Sequence, residues 1–163
     1  MRAVMLLALA QEPVSPSYEH LRPLEFLVGT WTSTGKLESG EEYSDEMAVA
    51  WIYDKNFIRS EYTLKVGGKV TWSSTSVLGW DPEKKRLVGF VFGANGVIAR
   101  SESVPTDKKD TWVFESKLTG QIPHKEDRVT YTRVDDSTLI TEVEVKKDGA
   151  FVKTGKYTHK KSR

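Results

Sequence analysis

Leu24-Glu25-Phe26-Leu27-Val28-Gly29-Thr30-Trp31 is the stretch from which the rest of the chain can be read. Leu24, Phe26 and Leu27 give it an apolar side. Pro23, just before them, keeps any helix short, because proline fixes φ and lacks the amide hydrogen a longer helix would use. A turn or two near residues 23–27 is therefore expected. Gly29 leads the chain into a strand, and Trp31 falls on the same strand face as that glycine. An apolar turn running into a strand that carries a large indole predicts a plug over one end of a β-structure.

Downstream, strand signals arrive at a regular pace. Thr30 to Glu38, Tyr43 to Tyr53, Phe57 to Val66, Lys69 to Trp80 and Arg86 to Phe92 each end at turn residues, as do Val97 to Val104, Thr111 to Leu118, Arg128 to Val134 and Leu139 to Lys147. Phe151 to His159 comes last. Gly67-Gly68 and Asn95-Gly96 are hairpin signals, and Asp81-Pro82 opens a turn in which proline has already set φ. About ten strands with hairpin links and no long crossover predict neighbours in sequence that are neighbours in the sheet. Such a sheet curls, and closing it removes two exposed edges. The expected fold is all-β: a single up-and-down antiparallel barrel of about ten strands over residues 20–163, capped at one end by a short N-terminal helical turn. A two-sheet sandwich is the competitor, but it usually needs long Greek-key connections.

Upstream, Met1-Arg2 is basic, Ala3 to Leu9 is apolar, and Ala8-Leu9-Ala10 resembles a processing site. Residues 1–19 are thus expected to be a signal-like apolar segment and a linker containing Pro13 and Pro16. A periplasmic or secreted protein follows, or a cytoplasmic one if the segment is not a signal. The segment is too short to span a bilayer. In the 163 residues, 24 Lys and Arg stand against 23 Asp and Glu, a net charge of +1. That balance argues against nucleic acid as a partner, which would need a clustered basic excess. The basic run Lys160-Lys161-Ser162-Arg163 is expected to be a solvated tail. Without cysteine there can be no disulfide and no thiolate site.

Strand alternation sorts residues by face. Val70, Trp72, Ser74, Ser76, Leu78 and Trp80 share one face. Phe151, Lys153, Gly155, Tyr157 and His159 share another. Polar and apolar residues mix on both sides, which suits a barrel whose lumen holds water or a ligand. Candidate ligand contacts are Trp31 near the roof, Arg59, Glu61 and Tyr62 in the third strand segment, and Trp72, Phe92 and Trp112 among the aromatics. Tyr131 and Arg133 lie on one face with Val129. A luminal arginine beside a tyrosine can hold a carboxylate, because guanidinium offers a planar fork of donors. The alternative is that Arg59 or Arg100 pairs with glutamate on the outer wall. The three histidines, His20, His124 and His159, have no metal-site spacing, and no nucleophile motif is present.

Gly29-Thr30-Trp31 resembles the opening of the calycin superfamily: lipocalins, fatty-acid-binding proteins and nitrobindin-like barrels. Trp51-Ile52-Tyr53 with Phe57-Ile58-Arg59-Ser60, and Leu78-Gly79-Trp80-Asp81-Pro82 with Gly89-Phe90, resemble an uncharacterised bacterial family of lipocalin-like domains. The resemblance implies a barrel that binds a small, mostly apolar molecule, and no established reaction. In nitrobindin-like relatives a late histidine ligates haem, and His159 is the residue in a comparable place. In fatty-acid-binding relatives an arginine and a tyrosine hold the ligand carboxylate, and Tyr131-Thr132-Arg133 has those types in reverse order.

The leading functional expectation is therefore binding of a small hydrophobic or amphipathic ligand in the lumen, with no resident cofactor. One alternative is an isomerase or cyclase using Arg59, Glu61, Tyr62 or Tyr131 as acid, base or orienting group. Another is haem binding through His159 with peroxynitrite or nitric oxide chemistry. The plainest is a homodimer formed through outer aromatics.

Overall fold

The computed structural model describes residues 15–37 and 39–162. Most of the signal-like segment, residues 1–14, lies outside the described residues. Ten strands follow: β1 (Gly29–Lys36), β2 (Glu42–Ile52), β3 (Phe57–Val66), β4 (Lys69–Asp81), β5 (Arg86–Gly93), β6 (Ile98–Val104), β7 (Thr111–Thr119), β8 (Glu126–Asp135), β9 (Thr138–Lys147) and β10 (Ala150–Lys161). Each is antiparallel to its sequence neighbours, and β10 returns to β1 to close the barrel. The expected up-and-down barrel is the fold observed, and the sandwich is not.

Local chemistry accounts for the tight links. Gly67 and Gly68 take φ of 55° and 78°, the doubly positive pair a two-residue hairpin needs. At the β4–β5 link, Asp81 Oδ1 accepts the amides of Glu83 (3.0 Å) and Lys84 (3.1 Å), a side chain standing in for a backbone turn bond.

The plug is one helical turn, α1 (Tyr18–Leu21), continuing as a 3-10 segment, Arg22–Leu27. Leu21 and Leu24 are fully buried against Trp31, Met47, Val49, Ile58, Leu87, Phe114 and Leu139. Each leucine is worth about 1.5–3 kcal/mol of apolar burial. Polar ties fix the plug's position. Trp31 Nε1 donates to Leu27 O (2.7 Å), Tyr18 donates to Glu25 (2.9 Å), and Lys55 pairs with Glu25 (3.1 Å). His20 stacks on Trp80 with ring centroids 3.7 Å apart.

Lys161 corrects one expectation. It is not part of a solvated tail: it ends β10, its Nζ donates to Phe26 O at 2.8 Å, and it stands 5.3 Å from the Trp31 ring centroid. The last strand thereby grips the plug and the indole together. Gly29 makes room for this grip. Its φ is 126°, and a Cβ there would lie 2.9 Å from Lys161 Cε. Gly29→Ala is expected to cost about 1–3 kcal/mol through backbone strain. Urea denaturation showing no loss would mean that the strand start relaxes freely.

Two irregularities change which residues point inward. Between Leu64 and Lys65 the register against β4 shifts, so Trp72 faces in while Val70 turns out and is exposed. Between Lys153 and Gly155 the register against β9 shifts in the same way. Phe151 and Lys153 therefore stand outside, Phe151 packing 3.9 Å from the Arg128 guanidinium, while Gly155, Tyr157 and His159 keep the inner face. The expectation that all five share one face fails at this bulge, because one extra residue reverses parity.

Candidate functional site: the lumen

The barrel is apolar at its plugged end. A second small cluster of Val97, Ala99 and Leu118, with Trp72, Val91 and Ile122 against it, fills part of the other end. Between them lies a polar band. Ser60 and Ser76 hydroxyls are 2.6 Å apart across β3–β4, and those of Ser101 and Ser116 are 2.9 Å apart across β6–β7.

On the β2–β3–β10 side, His159 Nδ1 lies 3.1 Å from Asp45 Oδ1, with side chains 3% and 0% exposed. Tyr62 donates its hydroxyl to Asp45 Oδ2 at 3.3 Å. Burial, and then the Asp45 charge, push the Tyr62 phenol far above its ordinary value, so it stays a hydrogen-bond donor. Tyr43 and Ser33 hydroxyls meet at 3.2 Å beside this group.

Facing them on β8–β9–β10, Tyr131, Thr141 and Tyr157 are register partners. Thr141 Oγ1 is buried without a hydrogen-bond partner. Burial pushes the Tyr131 phenol up to about 12. Yet Tyr131 keeps accessible surface, as do Ser60, Tyr62, Ser76, Val129 and Tyr157. These are inward positions of the wall that are half-buried, and the fold is compatible with a ligand inside the barrel.

Asp127, near the start of β8, completes the wall. Its Oδ1 is buried without a partner. Burial raises its carboxyl pKa, only partly opposed by the Ser116 hydroxyl and by His124. A carboxyl that holds its proton more tightly folded than unfolded loses stability as pH rises from the unfolded value of about 4. Asp127→Asn is therefore expected to be more stable than the parent at pH 7, with the difference closing toward pH 4. Melting curves that run parallel at both pH values would show that the charge is well solvated.

The sequence candidates divide by face. Tyr62, Trp72 and Tyr131 face inward. Trp31 also faces inward, but it is fully buried under the plug. Trp112 packs on Phe26 at 5.2 Å, and Arg133 sits 5.0 Å from the same ring and pairs with Asp136. Arg133 is thus engaged at the plug and is not a free fork beside Tyr131. Arg59 and Glu61 stand outside the lumen, about half exposed and paired with each other. Phe92 is also on the outer wall, 51% exposed. Parity decides these three: they alternate with the inward Ile58, Ser60 and Tyr62, and with Val91. Arg100 pairs with Glu102 at 3.2 Å on the outer wall.

His159, the residue matched to the haem ligand of the nitrobindin-like comparison, is enclosed, and its Nδ1 is held by Asp45. Among the described residues no group of three or more His, Asp or Glu is placed to hold a metal ion.

Reasoning from sequence missed Asp45, Asp127, Thr141 and Tyr157 as lumen groups. Asp45 was within reach: Tyr43, Asp45, Met47, Val49 and Trp51 alternate, with one acid in an otherwise aromatic and apolar row. Asp127 sits in the run Glu126-Asp127-Arg128, where parity cannot be read without the strand's start.

Two surface clefts lie elsewhere. One, of about 320 Å³, is lined by Leu87, Ser103, Pro105 and Trp112 beside the plugged end. The other, about 380 Å³, is on the outer wall over Thr32, Ser44, Glu46 and Thr63. Both are open to solvent, and neither gathers the unpartnered polar atoms found inside. No helix among the described residues is long and apolar enough to cross a membrane.

The crystal structure of Rv2717c from M. tuberculosis is similar to this barrel, with a TM-score of 0.67 over 93% of this chain and 100% of that one at 17% identity. At that identity the likeness is one of fold. No curated protein matches the chain. The family model described as "Protein of unknown function (DUF1579)" matches residues 15–161, nearly the whole described barrel with its plug, and the chain belongs to that family.

Proposed function

We propose that the protein binds a small amphipathic molecule inside the barrel. The observation that carries this reading is the set of polar atoms on inward positions without protein partners, Asp127 Oδ1 and Thr141 Oγ1, beside half-buried inward hydroxyl groups. A buried polar atom left unpartnered costs about 1–3 kcal/mol, so a bound molecule that satisfies several of them gains that energy back. The apolar surfaces at both ends of the band suit the rest of such a ligand. The Gly29-x-Trp31 opening, with Lys161 over its indole, agrees with a lipocalin-like carrier. The acid–base alternative loses ground, because Glu61 is solvated on the outer wall.

A thermal-shift panel of uncharged amphiphiles tests the proposal. Ligands carrying one or two hydroxyl or carbonyl groups on a compact apolar body are expected to raise the melting temperature in proportion to concentration. Tyr131→Phe and Thr141→Ala are each expected to weaken binding by about 3–10-fold, the loss of one neutral hydrogen bond. A panel with no stabilising member, or binding indifferent to both variants, would remove the lumen as the site.

A further inference from the structure

We propose that the lumen is selective for amphipathic amines, with the ligand ammonium seated on Asp127 and its apolar body along Val129 and Val143. The inference rests on the lumen being the binding site and goes further by naming the charge of the ligand.

Three observations carry it. First, Asp127 Oδ1 is a buried carboxylate oxygen without a hydrogen-bond partner among the described residues, although the Ser116 hydroxyl lies beside the carboxyl. An ammonium supplies three donors and the opposite charge, the strongest available match for such a group. Second, Lys69 and Lys147, on inward parity, stand exposed at the barrel end away from the plug, and the enclosed basic side chains on inward strand positions among the described residues are Arg133, Lys161 and His159. Each is engaged: Arg133 with Asp136 and Phe26, Lys161 with Phe26 O, His159 with Asp45. Asp45 and Asp127 thus face inward deeper than any unengaged lysine or arginine of the wall, with His124 near enough to Asp127 to hold its pKa down in part. A carboxylate ligand seated beside them would meet like charge. Third, the wall on the β9 side of Asp127 is apolar, while Ser116 is its neighbour on β7. Val145 is its register partner on β9, and Val129 pairs with Val143 one step further along the barrel. A charged head on Asp127 therefore leaves a short alkyl or aryl body against valine.

Burial also raises the Asp127 carboxyl, which marks how poorly the wall by itself accommodates its charge. A bound cation removes that disadvantage.

The test is a matched series, octylamine, octanol and octanoate, each titrated calorimetrically below its micelle concentration into the wild-type protein and into Asp127→Asn. The wild type is expected to bind octylamine at least about 10-fold more tightly than octanoate, as a charge-assisted pair replaces a repulsive one. Asp127→Asn is expected to lose about 10-fold or more for the amine while octanol changes by less than about 3-fold. A melting curve at least as stable as that of the parent confirms that the variant is folded. Octanoate binding as tightly as octylamine, or amine affinity indifferent to Asp127→Asn, overturns the amine selectivity while leaving a ligand-binding lumen in place. Failure of all three probes to bind either protein overturns both readings together.

Discussion

Trp31→Ala will lower the stability of this barrel by about 3–5 kcal/mol, the cost of emptying a large aromatic site in a packed core. The side chain is fully buried, so little of the cavity can be filled by water. Its loss also strands two partners. Leu27 O gives up the 2.7 Å indole hydrogen bond, and Lys161 loses the ring beneath its ammonium. Both partners belong to the plug and its latch, so the damage is concentrated where the N-terminal segment meets the barrel. At roughly 2–4 °C per kcal/mol for a chain of this size, the melting temperature falls by about 6–20 °C. Trp31→Phe separates the contributions: it keeps most of the packing and removes the N–H donor, for a loss of about 1–3 kcal/mol. Urea denaturation of both variants, with tryptophan fluorescence and circular dichroism as independent probes, measures the difference. A Trp31→Ala loss below about 1 kcal/mol would mean that the plug is held by Leu21 and Leu24 without the indole.

The same residue shows what the sequence made legible. Trp31 could be placed at the capped end because a proline-limited turn, a glycine and an indole occur in that order, and each has a local cause. Gly67-Gly68 and Asp81-Pro82 were legible for the same reason: turn chemistry is fixed by φ and by short-range hydrogen bonds. With the turns fixed and every link short, the barrel follows from topology. Lumen chemistry was less accessible because it depends on parity carried across whole strands. The bulges beside Leu64 and Lys153 each add a residue to one strand, and everything on one side of the shift changes face. Phe151 and Val70 moved outward on that account. Lys161 was missed for a different reason. Its role is a contact across 135 residues of chain with Phe26 O, and composition reads it as one more terminal lysine. The Asp45–His159 pair has the same character, since neither residue has a local signature.

That pair supports the second large expectation. The seam where β10 meets β1 is the thinnest joint in the barrel, with the register pairs Trp31–Lys161 and Thr32–Lys160 and one further backbone bond from Ser162 to Thr30. Asp45 on β2 and His159 on β10 reach each other across the inner face of β1, linking the two strands that flank it over 114 residues of chain. Asp45→Ala leaves the His159 ring and the Tyr62 hydroxyl buried without their acceptor. The expected cost is about 2–5 kcal/mol, because one partner of a buried polar pair keeps its desolvation penalty after the other is gone. Asp45→Asn retains one acceptor oxygen and should lose clearly less. The double variant Asp45→Ala/His159→Ala should be more stable than the sum of the single losses predicts, with a coupling of about 0.5–3 kcal/mol. Local opening should appear before global unfolding, as faster amide exchange in β1 and the end of β10 with the β3–β4 amides unchanged. Strictly additive losses, or exchange that quickens evenly round the barrel, would show that the pair fills space in the wall without stapling the seam.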